Sequence, residues 1–415
     1  MNPKKTWPRC LSLGFLVAIF IGFLTSHKAY GVASQRGQIR VHYFPVPHQL
    51  RGALHFWEAI FHKYPSHVAV IHDTYHPEVI VDVINFKAFA KKFRGDAPYN
   101  RKERNQLVTR YIKRYRKAID RFAKIGKDAI TYGAMEKRIF NVYSKNRIAL
   151  KKMLKGKAQI RSQTGLKDKY DNAAIIAKDY LPYMEHIFRK ANLPIDLVKM
   201  VFVESMFNVK ARSKVGASGV WQFMPRTGRL YMTVNNWIDE RNSPLKATKA
   251  AAKLLKENYQ ILRSWPLAIT AYNHGASGLK RAVRKFRTRD FGIIATKYRS
   301  KNFGFASRNF YVEFVAARNV YNRYHKPPSL APNPMKISKI RLKNRTSLSS
   351  LIKNTPLTEH VIKKHNLCLK QKAFKNYRKR LLPRNFELIV PDHLVKKTRK
   401  SLATYSKPKK PRGRL

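Results

Sequence analysis

This chain sets 86 lysines and arginines against 23 aspartates and glutamates, a formal net charge of +63, and that imbalance restricts how it can fold. With so few carboxylates for pairing, most cations must stay in water, so a helix that carries them holds only if its apolar face is buried against another element. Val108, Tyr111, Ile112, Tyr115, Ile119 and Phe122 recur at three- and four-residue steps among Lys and Arg, and predict one such helix. Phe56, Trp57, Ile60 and Phe61 predict another. The 415 residues, 44% of them hydrophobic, suffice for a sizeable core and suggest two or three units.

Where acids are scarce, one inside an apolar helix stands out. Glu204 closes the run Leu193 to Ser205, and Leu197, Met200 and Val201 share its helical face, which would surround it with hydrocarbon. Such surroundings favour the protonated carboxyl, the form that can hand a proton to a leaving-group oxygen. The plainer reading of an isolated Glu is a helix-end ion pair with a nearby Lys or Arg. Two downstream segments favour chemistry instead: Gly216-Ala217-Ser218-Gly219-Val220-Trp221-Gln222, then Ala271-Tyr272-Asn273-His274-Gly275. The glycines let backbone approach a ligand, Trp221 offers a flat apolar face and Gln222 an amide, and Tyr272 and Asn273 end an apolar stretch at a turn. Sugar rings need both kinds of contact.

The order Glu204-Ser205, Gly216 to Gln222 and Ala271-Tyr272-Asn273 resembles the lytic transglycosylase domain, goose-type-lysozyme-like, and most closely the membrane-bound lytic murein transglycosylase D family. Gln163 to Leu166, Tyr180 to Tyr183 and Ala191 to Pro194 extend the resemblance, so that it covers about residues 159–325. It implies Glu204 as the single acid/base, with Ser205, Gln222, Tyr272, Asn273 and Trp221 at the substrate. Two departures stand out. Val220 replaces a bulkier Leu or Met, and Ala306-Ser307-Arg308-Asn309-Phe310-Tyr311-Val312 matches the fourth family element with Ala in place of its acid and the tyrosine displaced by one. Tyr311 therefore joins the candidate substrate residues on weaker grounds.

The resemblance implies cleavage of the MurNAc–GlcNAc bond of peptidoglycan without a second carboxylate or a cofactor, giving a 1,6-anhydro product. A two-carboxylate hydrolase is the alternative, and it needs a partner acid. Between Glu204 and Tyr272 only Asp239, Glu240 and Glu257 are acidic, and Asp239-Glu240 read as a solvent-facing loop pair. A catalytically inactive cationic binder on the same scaffold is the competing class, against which the retained Glu204, Ser205, Gln222, Tyr272 and Asn273 argue.

The rest of the chain divides by composition. Lys4, Lys5 and Arg9, an apolar Leu11 to Leu24 and small residues at Ala29 to Ala33 form a signal peptide over 1–33, which would anchor the protein to the membrane if left uncleaved. Residues 34–158 read as a basic helical region, 159–326 as the lysozyme-like catalytic domain and 327–336 as a Pro-rich linker. Residues 337–393, in strand–helix–helix–strand order, resemble a degenerate LysM module, and 394–415 read as a basic disordered tail. The whole is mainly α. His72, Asp73 and His76 lack a fourth ligand and read as turn closure rather than a metal site. Only Cys368 survives signal removal, so no internal disulfide forms. Export and a spread of positive charge point to glycan strands and an anionic wall surface, with no specific nucleic acid expected.

Overall fold

A computed structural model describes residues 31–33, 39–41, 43–325, 336–375 and 381–405. The apolar stretch Leu11 to Leu24 expected to be a signal core, Pro327-Pro328, Arg378-Lys379-Arg380 and the tail from Lys407 lie outside them. The chain divides into two units, 1–43 and 44–415. Within the first, Gly31–Ala33 pairs antiparallel with Ile39–Val41. In the second, as expected, helices predominate.

Two helices are buried on nearly every side, and they organise the core. Trp265–His274 begins with Pro266, whose missing N–H costs nothing in a first turn, and stops at Gly275. Phe305–Val320 buries Phe310, Tyr311, Val312, Phe314, Val315, Ala316, Ala317 and Val320, an all-round apolar surface that only a central helix can carry. Around them pack Arg51–His62, Lys167–Lys190, Met200–Ser205 and Pro244–Leu262. Phe56, Trp57, Ile60 and Phe61 are all buried there, and Trp57 Nε1 donates to Asn309 Oδ1 at 3.1 Å.

The region before residue 159 is mostly helical, as its sequence implied, but it also contributes strands. Val68–Asp73 pairs antiparallel with Ile80–Asn85 on one side and Ile160–Thr164 on the other. A boundary at 159 would therefore cut a sheet, and Arg51–His62 already belongs to the core that holds Trp265–His274 and Phe305–Val320. Val68 to Ile71 is a continuous buried apolar run, which periodicity alone does not separate from a short helix. The Lys/Arg-flanked stripe does form a helix, Arg101–Ile125, with a capping box at Asn100 and Glu103 and with Tyr115, Ile119 and Phe122 buried against that sheet's second core. Asp73 closes the following turn, accepting from Tyr75 N at 2.7 Å and His76 N at 2.9 Å, while Tyr143 Oη donates to it at 2.9 Å.

At the other end Ile337–Arg341 pairs antiparallel with Glu387–Pro391, and between them lie Leu348–Asn354 and Glu359–His365, capped by Ser347 and Thr358. A further short helix, Gln371–Lys375, and a strand pair at Thr346–Ser347 and Leu381–Leu382 complete the module. The expected disordered tail is corrected over its first half: Asp392–Tyr405 is a helix. Leu394, Val395 and Leu402 pack on the module's core beside a buried Thr398, an apolar stripe hidden in the sequence among His393, Lys396, Lys397, Arg399 and Lys400. The module is seated against the segment over residues 237–239. Asp239 N donates to Cys368 O at 2.7 Å, Lys370 N donates to Trp237 O at 2.9 Å, and Ile238 joins the module's core.

Candidate active site

Glu204 is the last residue but one of Met200–Ser205. The helix ends abruptly because Met206 and Phe207 adopt φ of 50° and 52°, a left-handed turn that side chains rarely take. Burial of Phe207 beneath that turn, ring against Phe202 at 4.8 Å, offsets the strain. Leu197, Met200 and Val201 are fully buried, as the spacing predicted. Among the described residues no Lys or Arg forms an ion pair with Glu204, so the helix-end pairing does not occur. Burial, and after it the charge of Glu313, pushes its carboxyl up to about 8, so it keeps its proton at neutral pH.

Glu313 is the residue that sequence reading missed. It projects from Phe305–Val320, which packs against Met200–Ser205, and burial pushes its carboxyl up to about 8 as well, with Arg161 opposing the rise. Its sequence setting, Phe310-Tyr311-Val312-Glu313-Phe314-Val315, is the same lone acid in an apolar helix that marked Glu204. It lies well beyond Tyr272, outside the interval in which a partner acid was expected. Arg161 comes from the Ile160–Thr164 strand with its guanidinium 3.5 Å from the Phe305 ring centroid and its Nε buried without a partner. The ring of Phe305 also meets His72, which burial lowers to about 3 and so holds neutral.

The other predicted residues divide into those beside the acid and those that support it. Tyr272 lies within electrostatic reach of Glu204; burial and then that charge push its phenol well above its usual range, and its Oη donates to Trp221 O at 2.8 Å. Ser205 Oγ donates to Val220 O at 2.8 Å, tying the acid's helix to the glycine loop. Gln222 sits at φ 46° with Nε2 donating to Gly219 O at 2.7 Å. Asn273 is exposed, and its Oδ1 accepts from Ser307 Oγ at 2.8 Å. Two expectations are corrected. Trp221 is fully buried, stacked on Phe188 at 5.9 Å with Nε1 donating to Thr248 Oγ1, so it offers no face to a sugar. Tyr311 is equally buried, and its Oη donates to Pro45 O at 2.8 Å.

Asp239 and Glu240 do not face solvent. Asp239 is buried and takes Arg241 in a two-pronged pair, Nε and Nη2 each at 2.8 Å, while Glu240 pairs with Lys246 at 2.5 Å. Hydrogen bonding and the charge of Arg241 outweigh burial and hold Asp239 below its usual range. Arg241 Nη1 then donates to Gly216 O at 2.8 Å and Phe223 O at 2.9 Å, bracing both ends of the loop that carries Gln222. An acid spent in this way is a strut rather than a water-activating base.

Parts of this chain are similar to known proteins. Residues 183–294 match the family model described as the transglycosylase SLT domain. That span holds Glu204, Ser205, Gln222, Tyr272 and Asn273 and excludes Arg161 and Glu313. The membrane-bound lytic murein transglycosylase D of Escherichia coli (strain K12) is 31% identical over 115 residues, 27% of this chain and 25% of its own length. A protein of Alteromonas sp. (strain M-1) named for tributyltin chloride resistance is 32% identical over 120 residues, 28% of this chain and 58% of its own. The matched segment thus spans a quarter to somewhat over half of these relatives. The lytic transglycosylase Slt of Pseudomonas aeruginosa aligns over 52% of this chain and 32% of its own at 15% identity, with a TM-score of 0.29. Over residues 183–294, which hold Glu204 and the tyrosine of Ala271-Tyr272-Asn273, the chain is similar to the transglycosylase SLT domain and to part of membrane-bound lytic murein transglycosylase D.

Proposed function

We propose that the protein is an exported lytic transglycosylase of peptidoglycan, with Glu204 as its single acid/base. The observation that carries this reading is a carboxyl held protonated up to about 8 with no cation paired to it among the described residues, within the matched segment. In the first step Glu204 protonates the oxygen linking MurNAc to GlcNAc as the C1–O bond breaks, and the acetamido carbonyl of the same sugar stabilises C1. In the second the ionised Glu204 takes the proton of the C6 hydroxyl, whose oxygen closes on C1. Proton and bond counts balance, and no water enters. The +63 charge favours a wall rich in carboxylates, and the 337–393 module, LysM-like in element order, would add a glycan-binding surface. The membrane-bound relatives favour the cell envelope, although among the described residues no helix is long and apolar enough to cross a membrane.

Glu313 favours a second reading, hydrolysis, since it supplies the partner acid that a two-carboxylate mechanism needs. Burial keeps it protonated at neutral pH, a poor state for a base, which is why transglycosylation is preferred. Mass spectrometry of the products separates the two: 1,6-anhydro-muramoyl ends support the proposal, reducing ends with incorporated water support hydrolysis, and intact glycan supports neither. A pH profile adds a check. Because the acid must be protonated, kcat/KM is expected to fall on the alkaline side with a midpoint near 8. A fall centred well below neutrality would remove Glu204 from the role.

A further inference from the structure

A cavity of about 370 Å³ opens between the turn after Val68–Asp73 and the helices Arg147–Leu154, Phe291–Lys297 and Phe305–Val320. Its lining carries three cations from three separate segments, all converging on one ring. Lys152 Nζ lies 5.1 Å, Arg299 Cζ 5.4 Å and Arg308 Cζ 4.3 Å from the centroid of Tyr75. Among the described residues none of the three makes an ion pair. Their hydrogen bonds go to neutral atoms: Lys152 Nζ to His76 Nε2 at 3.1 Å, Arg308 Nη2 to Thr74 O at 3.3 Å, and Arg299 Nη1 to Tyr298 O at 2.9 Å.

The acids nearby bond to other groups, although the charges of Asp73 and Glu78 act on Lys152 and that of Asp73 on Arg308. Asp73 is occupied by two backbone N–H groups and the Tyr143 hydroxyl, and Glu78 takes Asn146 Nδ2 at 2.8 Å and His76 Nδ1 at 3.5 Å. Three cations drawn together in a concave site, with the ring face of one tyrosine as their common neighbour, repel one another, and an anion seated among them would relieve that repulsion. Burial depresses both Lys152 and Arg308; at Lys152 the charge of Asp73 opposes that fall while the charges of Arg299 and Arg308 deepen it, and a bound anion would act in the same sense as Asp73.

Arg308 also links this cavity to the candidate active site. Its chain neighbour Ser307 holds Asn273 at the end of Trp265–His274. We propose that the cavity lined by Tyr75, Lys152, Arg299 and Arg308 is an anion subsite that takes a carboxylate of the peptide stem attached to the glycan being cleaved. None of these four residues lies in the catalytic machinery, and only Arg299 and Arg308 are near the matched 183–294 span without belonging to it. The carboxylate's origin in a peptide stem rests on the peptidoglycan reading; the anion subsite itself does not.

The test uses the full chain carrying Glu204→Gln, so that ligands survive, with and without Lys152→Gln and Arg308→Gln. Calorimetry at fixed ionic strength compares a peptide-bearing muramoyl disaccharide, the same disaccharide without its peptide, and inorganic phosphate. The parent is expected to bind the peptide-bearing form about tenfold tighter than the bare one, and the double substitution to erase that preference while leaving bare-disaccharide affinity unchanged. Arg299→Gln, at an exposed position, is expected to reduce the preference about threefold, and it serves should the double variant not fold. Equal affinity of the parent for the two disaccharides overturns the stem assignment, and phosphate bound with the same Lys152 and Arg308 dependence would then mark a free-phosphate site instead. Loss of both disaccharides together overturns the subsite. Should the unsubstituted protein cleave no glycan while this binding pattern persists, the enzymatic reading falls and the subsite stands.

Discussion

Glu204→Gln is expected to lower peptidoglycan cleavage by about 10³-fold while leaving wall binding unchanged. Glutamine keeps the shape and removes the transferable proton, so the loss falls on the chemical step. The same substitution carries a stability signature of opposite sign. The carboxyl's folded value, about 8, lies above its ordinary 4.5, so over that interval the folded state holds a proton that the unfolded chain has released. Stability from this group is complete below 4.5 and is lost as pH rises through about 8. Glutamine has no proton to lose, so the variant is expected to gain about 1–3 kcal/mol relative to the parent between acid and alkaline conditions. Denaturant midpoints at about pH 4 and about pH 9 measure it. An inactive variant with no such gain would mean that Glu204 is solvated, and the acid role would lose its physical basis. Retained cleavage with the gain present would move catalysis to Glu313.

The second large effect is expected at Gly219, outside the chemistry. Its φ is +77°, and a methyl added there would stand 1.8 Å from the carbonyl oxygen of Arg241, which belongs to the backbone of the strut itself. Neither partner can yield, because Arg241 is fixed by Asp239 and by two loop carbonyls. Gly219→Ala is expected to cost about 3 kcal/mol or more and to remove activity by displacing the Gln222 loop. Gly216→Ala is the control. Its φ is +95°, but the added methyl meets only Pro225, at 3.7 Å. Strain alone should cost about 1 kcal/mol there. Thermal unfolding of both variants separates the two causes, and equal losses would show that close approach is not what requires glycine at 219.

Much of the site was legible because helical spacing is a local property. Leu197, Met200 and Val201 share a face with Glu204 whatever surrounds them, and each is buried. The Arg101–Ile125 helix was legible for the same reason. Trp221 and Tyr311 misled because an aromatic ring looks alike in a sequence whether it lines a cleft or fills a core. Each instead ends in a buried hydrogen bond, to Thr248 and to Pro45. Asp239 misled because a charged pair in a loop is usually solvated, and only the seating of the C-terminal module over residues 237–239 buries this one.

From its sequence alone the chain already determined that a lone carboxyl would sit in hydrocarbon at a helix end, since periodicity places neighbours three and four residues away without reference to the rest of the fold. Which groups face that carboxyl was settled only by packing. Glu313 comes within electrostatic reach of it because two helices distant in the chain lie against each other, and Arg161 acts on Glu313 in turn because a strand read as a boundary belongs to a sheet. Contacts between remote segments depend on how cores are filled in three dimensions, and a linear pattern carries no record of that.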